Sequence, residues 1–137
     1  MKTSPAGIAF IAKNEGFTAT PKGDFGHEVI GHGHDLLPGE SFPNGITEEE
    51  AQALLESDVA KVDAAMNAQH LALDLNQNQF DAVADFTFEC GVGALVQLLA
   101  HGVDQIPAQL PRWTHAGGKE LPGMVARRAA DVALFNS

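Results

Sequence analysis

Apolar residues recur at helical spacing over most of the chain. The clearest stripe follows Thr47, whose spacing to Glu50 is a capping-box signature, and it continues to Met66. Ser4 and Pro5 are typical of an N-cap and of a first helical position. These patterns predict helices at about residues 5–15, 48–68, 76–91, 93–101, 104–115 and 122–135.

The segment between Phe17 and Gly45 breaks this helical pattern. Glycines and prolines interrupt it repeatedly, and its apolar pieces are as short as Val29-Ile30. Such a segment favours a small hairpin or a three-stranded sheet with loops, which would form one wall of a cleft. The predicted fold class is therefore α+β and mainly α, in one compact domain, because 137 residues cannot fill two separate cores.

Composition argues against several functional classes. Eight basic against eighteen acidic side chains give a net charge of −10, which repels nucleic acid and anionic membrane surfaces. The single cysteine, Cys90, has no internal partner and is expected to be a small core residue. The apolar run at residues 7–12 is too short for a signal peptide or a membrane span, so we expect synthesis in the cytoplasm and no membrane insertion.

Two carboxylates stand at the junction between the first helix and the sheet segment. Glu15 directly precedes Gly16 at a helix end, where the helix dipole disfavours a charged carboxylate and should raise its pKa. Asp24 follows nine residues later. Glycosidic acid/base chemistry needs such a pair, whereas a solvated helix-end glutamate and an ordinary turn aspartate are the plain alternatives.

The chain resembles the phage-type lysozymes of glycoside hydrolase family 24 almost from end to end. Their hallmark is Glu-Gly, then Asp, then Thr-Ile-Gly-x-Gly-His, and residues 15–34 carry a variant of it. Further blocks follow in the family's order: ITEEEA (46–51), LNQNQFDA (75–82), FTFECG (86–91), RW (112–113) with AGGK (116–119), and LPGMVARR (121–128). Several such blocks in one order support a lysozyme-like fold.

This resemblance implies a peptidoglycan hydrolase. Such a muramidase cleaves the β-1,4 bond between N-acetylmuramic acid and N-acetylglucosamine, with Glu15 as the general acid and Asp24 as the base or electrostatic partner. No cofactor is implied. The expected partners are peptidoglycan glycan strands, which a monomer would reach after lysis or by partner-assisted export.

The resemblance also predicts how the chain is organised. It implies a single lysozyme-like domain over residues 1–137, in which His34 pairs with Asp58 and so ties the sheet to a helix between two lobes. Trp113 is expected to pack in the core rather than to bind sugar. The predicted parts are a β-containing lobe at about 16–46, an interlobe helix at about 48–68, and a helical lobe at about 70–137 that includes the N-terminal helix.

Several family positions are altered in this chain. Anchoring on the Gly-x-Gly-His motif puts Val29 where the family has the threonine that binds the attacking water, and valine has no hydroxyl. Counting six residues on from Asp24 reaches Ile30, which also lacks one. Glu28 would reach the cleft only after a one-residue register slip, so it is expected to face solvent. Glu89 replaces an asparagine or glutamine, and would either raise the pKa of the general acid or lie at the surface.

The histidines of the same segment invite comparison with a metal site. The spacing of His27, His32 and His34 around Glu28 differs from the His-Glu-x-x-His motif, and the glycines between them argue against a helix. No metal is therefore predicted. His32 is kept as a candidate for substrate contact or water positioning.

Two alternatives to an active hydrolase stay open at this stage. One is a catalytically impaired relative that kept the cleft and still binds peptidoglycan. The other is an engineered family member, which the absence of tyrosine and the altered family positions suggest. Both alternatives share the lysozyme-like fold, so activity measurements must separate them.

Overall fold

The computed structural model describes residues 1–24, 27–70 and 74–137, and for Asp24 it describes the backbone alone. The helices are α1 (Pro5–Glu15), α2 (Glu48–Ala68), α3 (Gln77–Cys90), α4 (Val92–Leu99), α5 (Ile106–Gln109) and α6 (Pro122–Phe135). The strands are β1 (Thr18–Asp24), β2 (His27–Gly31), β3 (His34–Asp35), β4 (His115–Ala116) and β5 (Lys119–Glu120). The mainly helical α+β class predicted from the sequence is confirmed.

Polar caps set the starts of the main helices. Ser4 Oγ accepts a hydrogen bond from the Gly7 amide at 3.0 Å, and Thr47 and Glu50 form the reciprocal capping box ahead of α2. Asn76 and Gln79 do the same ahead of α3, whose far end meets Gly91 at φ +91°. These caps satisfy amides that lack partners within the helix, which is why the sequence predicted these starts correctly.

The prediction of one helix over 104–115 is wrong. The chain there forms a 3-10 turn at Val103–Gln105, the single turn of α5, and a second 3-10 turn at Leu110–Arg112. Pro107 and Pro111 each stand at the start of a new turn, because proline has no amide hydrogen to continue the preceding one. The small β4–β5 hairpin that follows was also not predicted.

The first three strands form an antiparallel sheet in the order β1-β2-β3. Val29 lies opposite Lys22 on one side and Asp35 on the other. Its neighbour Ile30 lies opposite His34, and both are buried. Because side chains alternate along a strand, this register turns Ile30 into the core and Val29 to the opposite face.

Two apolar clusters lie on either side of α2. The smaller contains Ile30, Ile46 and Ala51 beneath the sheet. The larger joins the faces of α1, α3, α4 and α6, and α2 contributes Leu55 and Val59 to it. Since one helix supplies buried residues to both clusters, α2 holds the sheet at a defined position against the helical part, and a cleft lies between them.

Candidate active site

The cleft between the sheet and the helical part has a volume of about 920 Å³. Glu15, the last residue of α1, lies in its lining with 17% of its side chain exposed. We define the sheet wall as Lys22, His27, Val29 and Asp35, and the helical wall as Phe88, Glu89, Met124 and Arg127. Glu15 stands where the two walls meet.

The carboxylate of Glu15 is held from two sides. Its Oε1 lies 2.8 Å from Nη1 of Arg127. On the other side it lies against Gly33, where an added Cβ would overlap Oε2. Gly33 also has φ +74°, so both its conformation and this close approach require glycine. Gly33 of the Gly-x-Gly-His motif therefore leaves the space that the carboxylate of the candidate acid occupies.

Arg127 connects three carboxylates. Its Nε and Nη2 donate to Asp85 at 2.9 and 2.8 Å, and its Nη1 lies 3.0 Å from Glu89 as well as 2.8 Å from Glu15. Burial alone would lower the pKa of Arg127, but the hydrogen bonds and charge of Asp85 outweigh it and raise that pKa. Arg127 is therefore a permanent cation beside Glu15.

A second arginine stands behind the first. Arg128 is fully buried, with Nη2 2.9 Å from Glu89 and Nε 2.9 Å from Asp131, although neither nitrogen is aligned for a hydrogen bond to any residue described. Burial and then the charge and hydrogen bond of Asp85 raise the pKa of Asp131 against the charges of Arg128 and Arg127, to about 9 in total. Asp131 is therefore protonated near neutral pH.

These groups give Glu15 the protonation that a general acid needs. Burial raises the pKa of Glu15, the ion pair with Arg127 lowers it, and the charges of Glu89 and Asp85 raise it again, so the balance lies above the ordinary value. A carboxyl group with a raised pKa keeps its proton closer to neutral pH. It can then donate that proton to a leaving group.

Other residues of the predicted site fall on β1 and β2. Val29 lines the cleft, whereas Ile30 is in the core, so the alignment anchored on the glycines describes the wall. Asp24 ends β1 opposite His27, and its side chain lies outside the described structure. Glu28 is exposed on the strand and absent from the cleft lining, as expected for a residue that alternates with Val29.

The remaining histidines make local contacts. His32 Nδ1 lies 2.6 Å from the carbonyl oxygen of Gly16, its ring packs against Phe17, and it is absent from the cleft lining. His27 Nδ1 lies 2.9 Å from Asp35 at an exposed position on the sheet wall. Across the described ranges, no three histidine, cysteine or acidic side chains gather as metal ligands would.

The expected pair of His34 and Asp58 is present, and it has a third member. His34 Nδ1 lies 2.7 Å from Asp58, and its Nε2 lies 3.0 Å from Glu40. Burial lowers the pKa of His34, but the hydrogen bonds to both carboxylates outweigh burial and raise it. A protonated imidazole donates through both nitrogens, so the three residues tie the sheet, its following loop and α2 together.

Sequence reasoning missed the contact between Arg127 and the candidate acid. It also missed Asp85, whose side chain is fully buried in α3. The available signal was a pair of arginines on α6 and an aspartate inside the apolar pattern of α3, because charged residues at core positions are paired. Trp113, in contrast, packs against the core and meets Phe86 edge to face, as expected.

Two further polar groups line the cleft beside Glu15. Asn14 Nδ2 and Thr18 Oγ1 are buried atoms with no hydrogen-bond partner among the residues that the structure describes. Buried polar atoms normally have partners, so the two unpaired atoms are unusual, and both are shielded from solvent. Thr18 lines the same cleft as Val29, but its hydroxyl is buried in this structure.

Comparison with known proteins places the chain in a family. A model of the phage lysozyme family matches residues 12–131. The endolysin of Bacillus phage PZA is 38% identical over 152 aligned positions, which cover 100% of this chain and 56% of that protein. The endolysin of Acyrthosiphon pisum secondary endosymbiont phage 1 is 37% identical over 78% of this chain and 77% of its own length. The chain belongs to the phage lysozyme family.

Solved structures support the same assignment. The muramidase domain of SpmX from Asticaccaulis excentricus matches with a TM-score of 0.82 at 29% identity, over 99% of this chain and 98% of that chain. This confirms the lysozyme-like fold. The chain nevertheless spans only 56% of the PZA endolysin. No helix within the described residues is long and apolar enough to cross a membrane.

Proposed function

We propose that this protein is a muramidase that hydrolyses the β-1,4 bond between N-acetylmuramic acid and N-acetylglucosamine in peptidoglycan. The observation that carries the proposal is Glu15, a largely buried carboxyl group with a raised pKa in the lining of a large cleft. Membership of the phage lysozyme family and the likeness to a muramidase domain support the substrate class.

The reaction follows from two carboxyl groups with different tasks. Glu15 donates its proton to the glycosidic oxygen as the bond from that oxygen to the sugar C1 breaks. Asp24 accepts a proton from a water molecule, whose oxygen forms the new bond to C1 from the opposite face. Such inversion requires the two carboxyl groups to be roughly 6.5–9.5 Å apart, so that the water fits between them.

The attacking water needs a third group to orient it. In the family this is a threonine hydroxyl at the position of Val29, which has none. Thr18 lines the same cleft, and its hydroxyl has no partner within the described structure; it would substitute for the threonine by turning from its buried position toward the water. A muramidase that lacks the family threonine should still be active but slower, since one polar contact in a transition state is worth about 2.7–4 kcal/mol.

Other parts of the proposal follow the family. Residues 1–137 act as one functional unit and as a monomer, with glycan strands as the partner. No cofactor takes part in the reaction. The enzyme acts on the bacterial cell wall, which it reaches from the cytoplasm after lysis or with a partner that exports it.

Clearing of purified peptidoglycan tests the proposal directly. Glu15→Gln removes the acid while keeping the shape, so the initial clearing rate should fall by about 10²- to 10⁴-fold. The matched control is Glu56→Gln, which removes the same charge from the exposed face of α2 and should clear at the parent rate. Sedimentation with peptidoglycan, measured in parallel, should remain unchanged in both variants.

Two results would contradict an active muramidase. If the parent binds peptidoglycan but does not clear it, the protein is a binding relative. If Glu15→Gln clears as fast as the parent, another group is the acid. Reducing-end analysis of the products checks which bond is cut, because a muramidase leaves N-acetylmuramic acid at the new reducing end.

A further inference from the structure

Glu15 and Glu89 approach the same nitrogen atom. Nη1 of Arg127 lies 2.8 Å from Oε1 of Glu15 and 3.0 Å from Oε2 of Glu89. Nε and Nη2 of this guanidinium donate to Asp85. The positive charge that Glu15 receives is therefore divided with a second carboxylate.

The charge count around this nitrogen favours one protonation state. Two guanidinium groups, Arg127 and Arg128, face the carboxyl groups of Glu15, Asp85, Glu89 and Asp131. Asp131 retains its proton near neutral pH. Ionised Asp85 and Glu89 then balance the two arginines, and a third carboxylate at Glu15 would leave a buried excess of negative charge, which is costly.

We infer that Glu89 is a positioning residue that divides the Arg127 guanidinium with Glu15 and thereby keeps Glu15 in its protonated, proton-donating form. The inference deepens the proposed function and rests on it. The asparagine or glutamine of the family would leave the positive charge of Arg127 fully available to the acid. In this chain the Glu89 carboxylate takes part of that positive charge. Glu89 touches Arg127 and Arg128 directly and acts on the reaction only through them.

Charged groups from other elements also face Glu15, and they set the limits of the effect. Those that line the cleft are solvent-exposed or lie on the opposite wall, where water and salt screen their charges. They are Lys13 on α1, Lys22 on β1, His27 on β2 and Asp35 on β3. None of them contacts Arg127 in the described ion pairs.

The pH dependence of clearing provides the first test. Glu89→Gln keeps the side-chain shape and removes the charge, so Glu15 should lose its proton at lower pH. Because the acid must be protonated to work, the basic limb of the rate profile should move down by about one pH unit. Glu89→Asp restores a charge and should return the limb toward the parent. The exposed variant Glu56→Gln should leave it unmoved.

Titration by carboxyl carbon NMR in the unmodified protein provides the second test and needs no activity. Protonation of Glu15 releases Nη1 to Glu89, so the Glu89 resonance should respond at the pH where Glu15 titrates. A Glu89 signal that does not follow Glu15 would overturn the inference. So would a basic limb that stays in place or rises in Glu89→Gln. An inactive parent with coupled titrations would refute the proposed function and leave this inference standing.

Discussion

The two walls of the cleft are built in opposite ways. Behind the helical wall, arginines and carboxylates are buried and held at ion-pair distances, so few positions can change independently. The sheet wall carries an exposed contact between His27 and Asp35 and an apolar Val29. In the proposed mechanism, the helical wall therefore controls the protonation of Glu15, whereas the sheet wall controls how water reaches the sugar. Changes on the first should alter stability and pH dependence, and changes on the second should alter rate.

The largest expected effect lies behind the helical wall. Arg128→Leu leaves the buried Asp85 and the partly buried Glu89 without their second cation, and breaking a buried pair costs about 3–5 kcal/mol of unfolding free energy. Lys22→Leu removes a cation from the exposed sheet wall and should change the free energy of unfolding by no more than about 0.5 kcal/mol. Urea unfolding measures both. Equal losses of unfolding free energy in the two variants would show that the two walls do not differ in this way.

A smaller effect is expected where the sheet is tied to α2. A double-mutant cycle of His34→Asn and Asp58→Asn should give a coupling of about 1.5 kcal/mol in mildly acidic solution. The folded pKa of His34 is raised, so its contribution is complete below the unfolded pKa and is lost as pH rises through the folded pKa. The pair is contradicted if the coupling is absent in mildly acidic solution or grows as pH rises through the folded pKa of His34.

Glu40 determines how the stability from this group of residues changes at acidic pH. Its pKa is lowered, first by the hydrogen bond from the Leu37 amide and then by His34. Its contribution is therefore present above the unfolded pKa and is lost as pH falls through the folded pKa. Stability from this group of residues should peak in mildly acidic solution. Unfolding free energies measured between about pH 3 and pH 9 would show the maximum.

The smallest effect concerns the attacking water on the sheet wall. Val29→Thr replaces a methyl group by a hydroxyl at nearly constant volume and should raise the clearing rate at least about tenfold, a gain of about 1.4 kcal/mol or more, at some expense of stability. Ile30→Thr is the matched control, because Ile30 is fully buried in the small core and should gain nothing.

Thr18→Val separates two accounts of this wall. If the Thr18 hydroxyl already orients the water, its removal should slow clearing while the gain in Val29→Thr becomes smaller. If Thr18→Val clears at the parent rate and Val29→Thr gains tenfold, the family position alone matters. If neither Val29→Thr nor Ile30→Thr raises the clearing rate and the parent is already fast, another group orients the water.

Local patterns explain how much of the fold could be predicted. Asn76 with Gln79 encodes a helix start by hydrogen bonds between residues three apart, so sequence alone identifies it. The prediction of a helix at 104–115 was wrong because the apolar spacing there suited a helix, whereas Pro107 and Pro111 divide the segment into single turns. Periodicity reports which residues face the core, and it does not report whether amides are available to continue a helix.

The sequence by itself determined the mainly helical α+β class and the helix starts, because caps and periodicity act over a few residues. Its resemblance to the phage-type lysozymes supplied the lysozyme-like fold, the candidate acid Glu15 and the missing hydroxyl at Val29. Only the tertiary structure decided that Glu89 enters the cleft and that Arg127 contacts the acid. Glu15, Glu89 and Arg127 come from α1, α3 and α6, and their meeting depends on how those helices pack. The protonation of the acid follows from burial and nearby charge, and neither is encoded in the residues beside it.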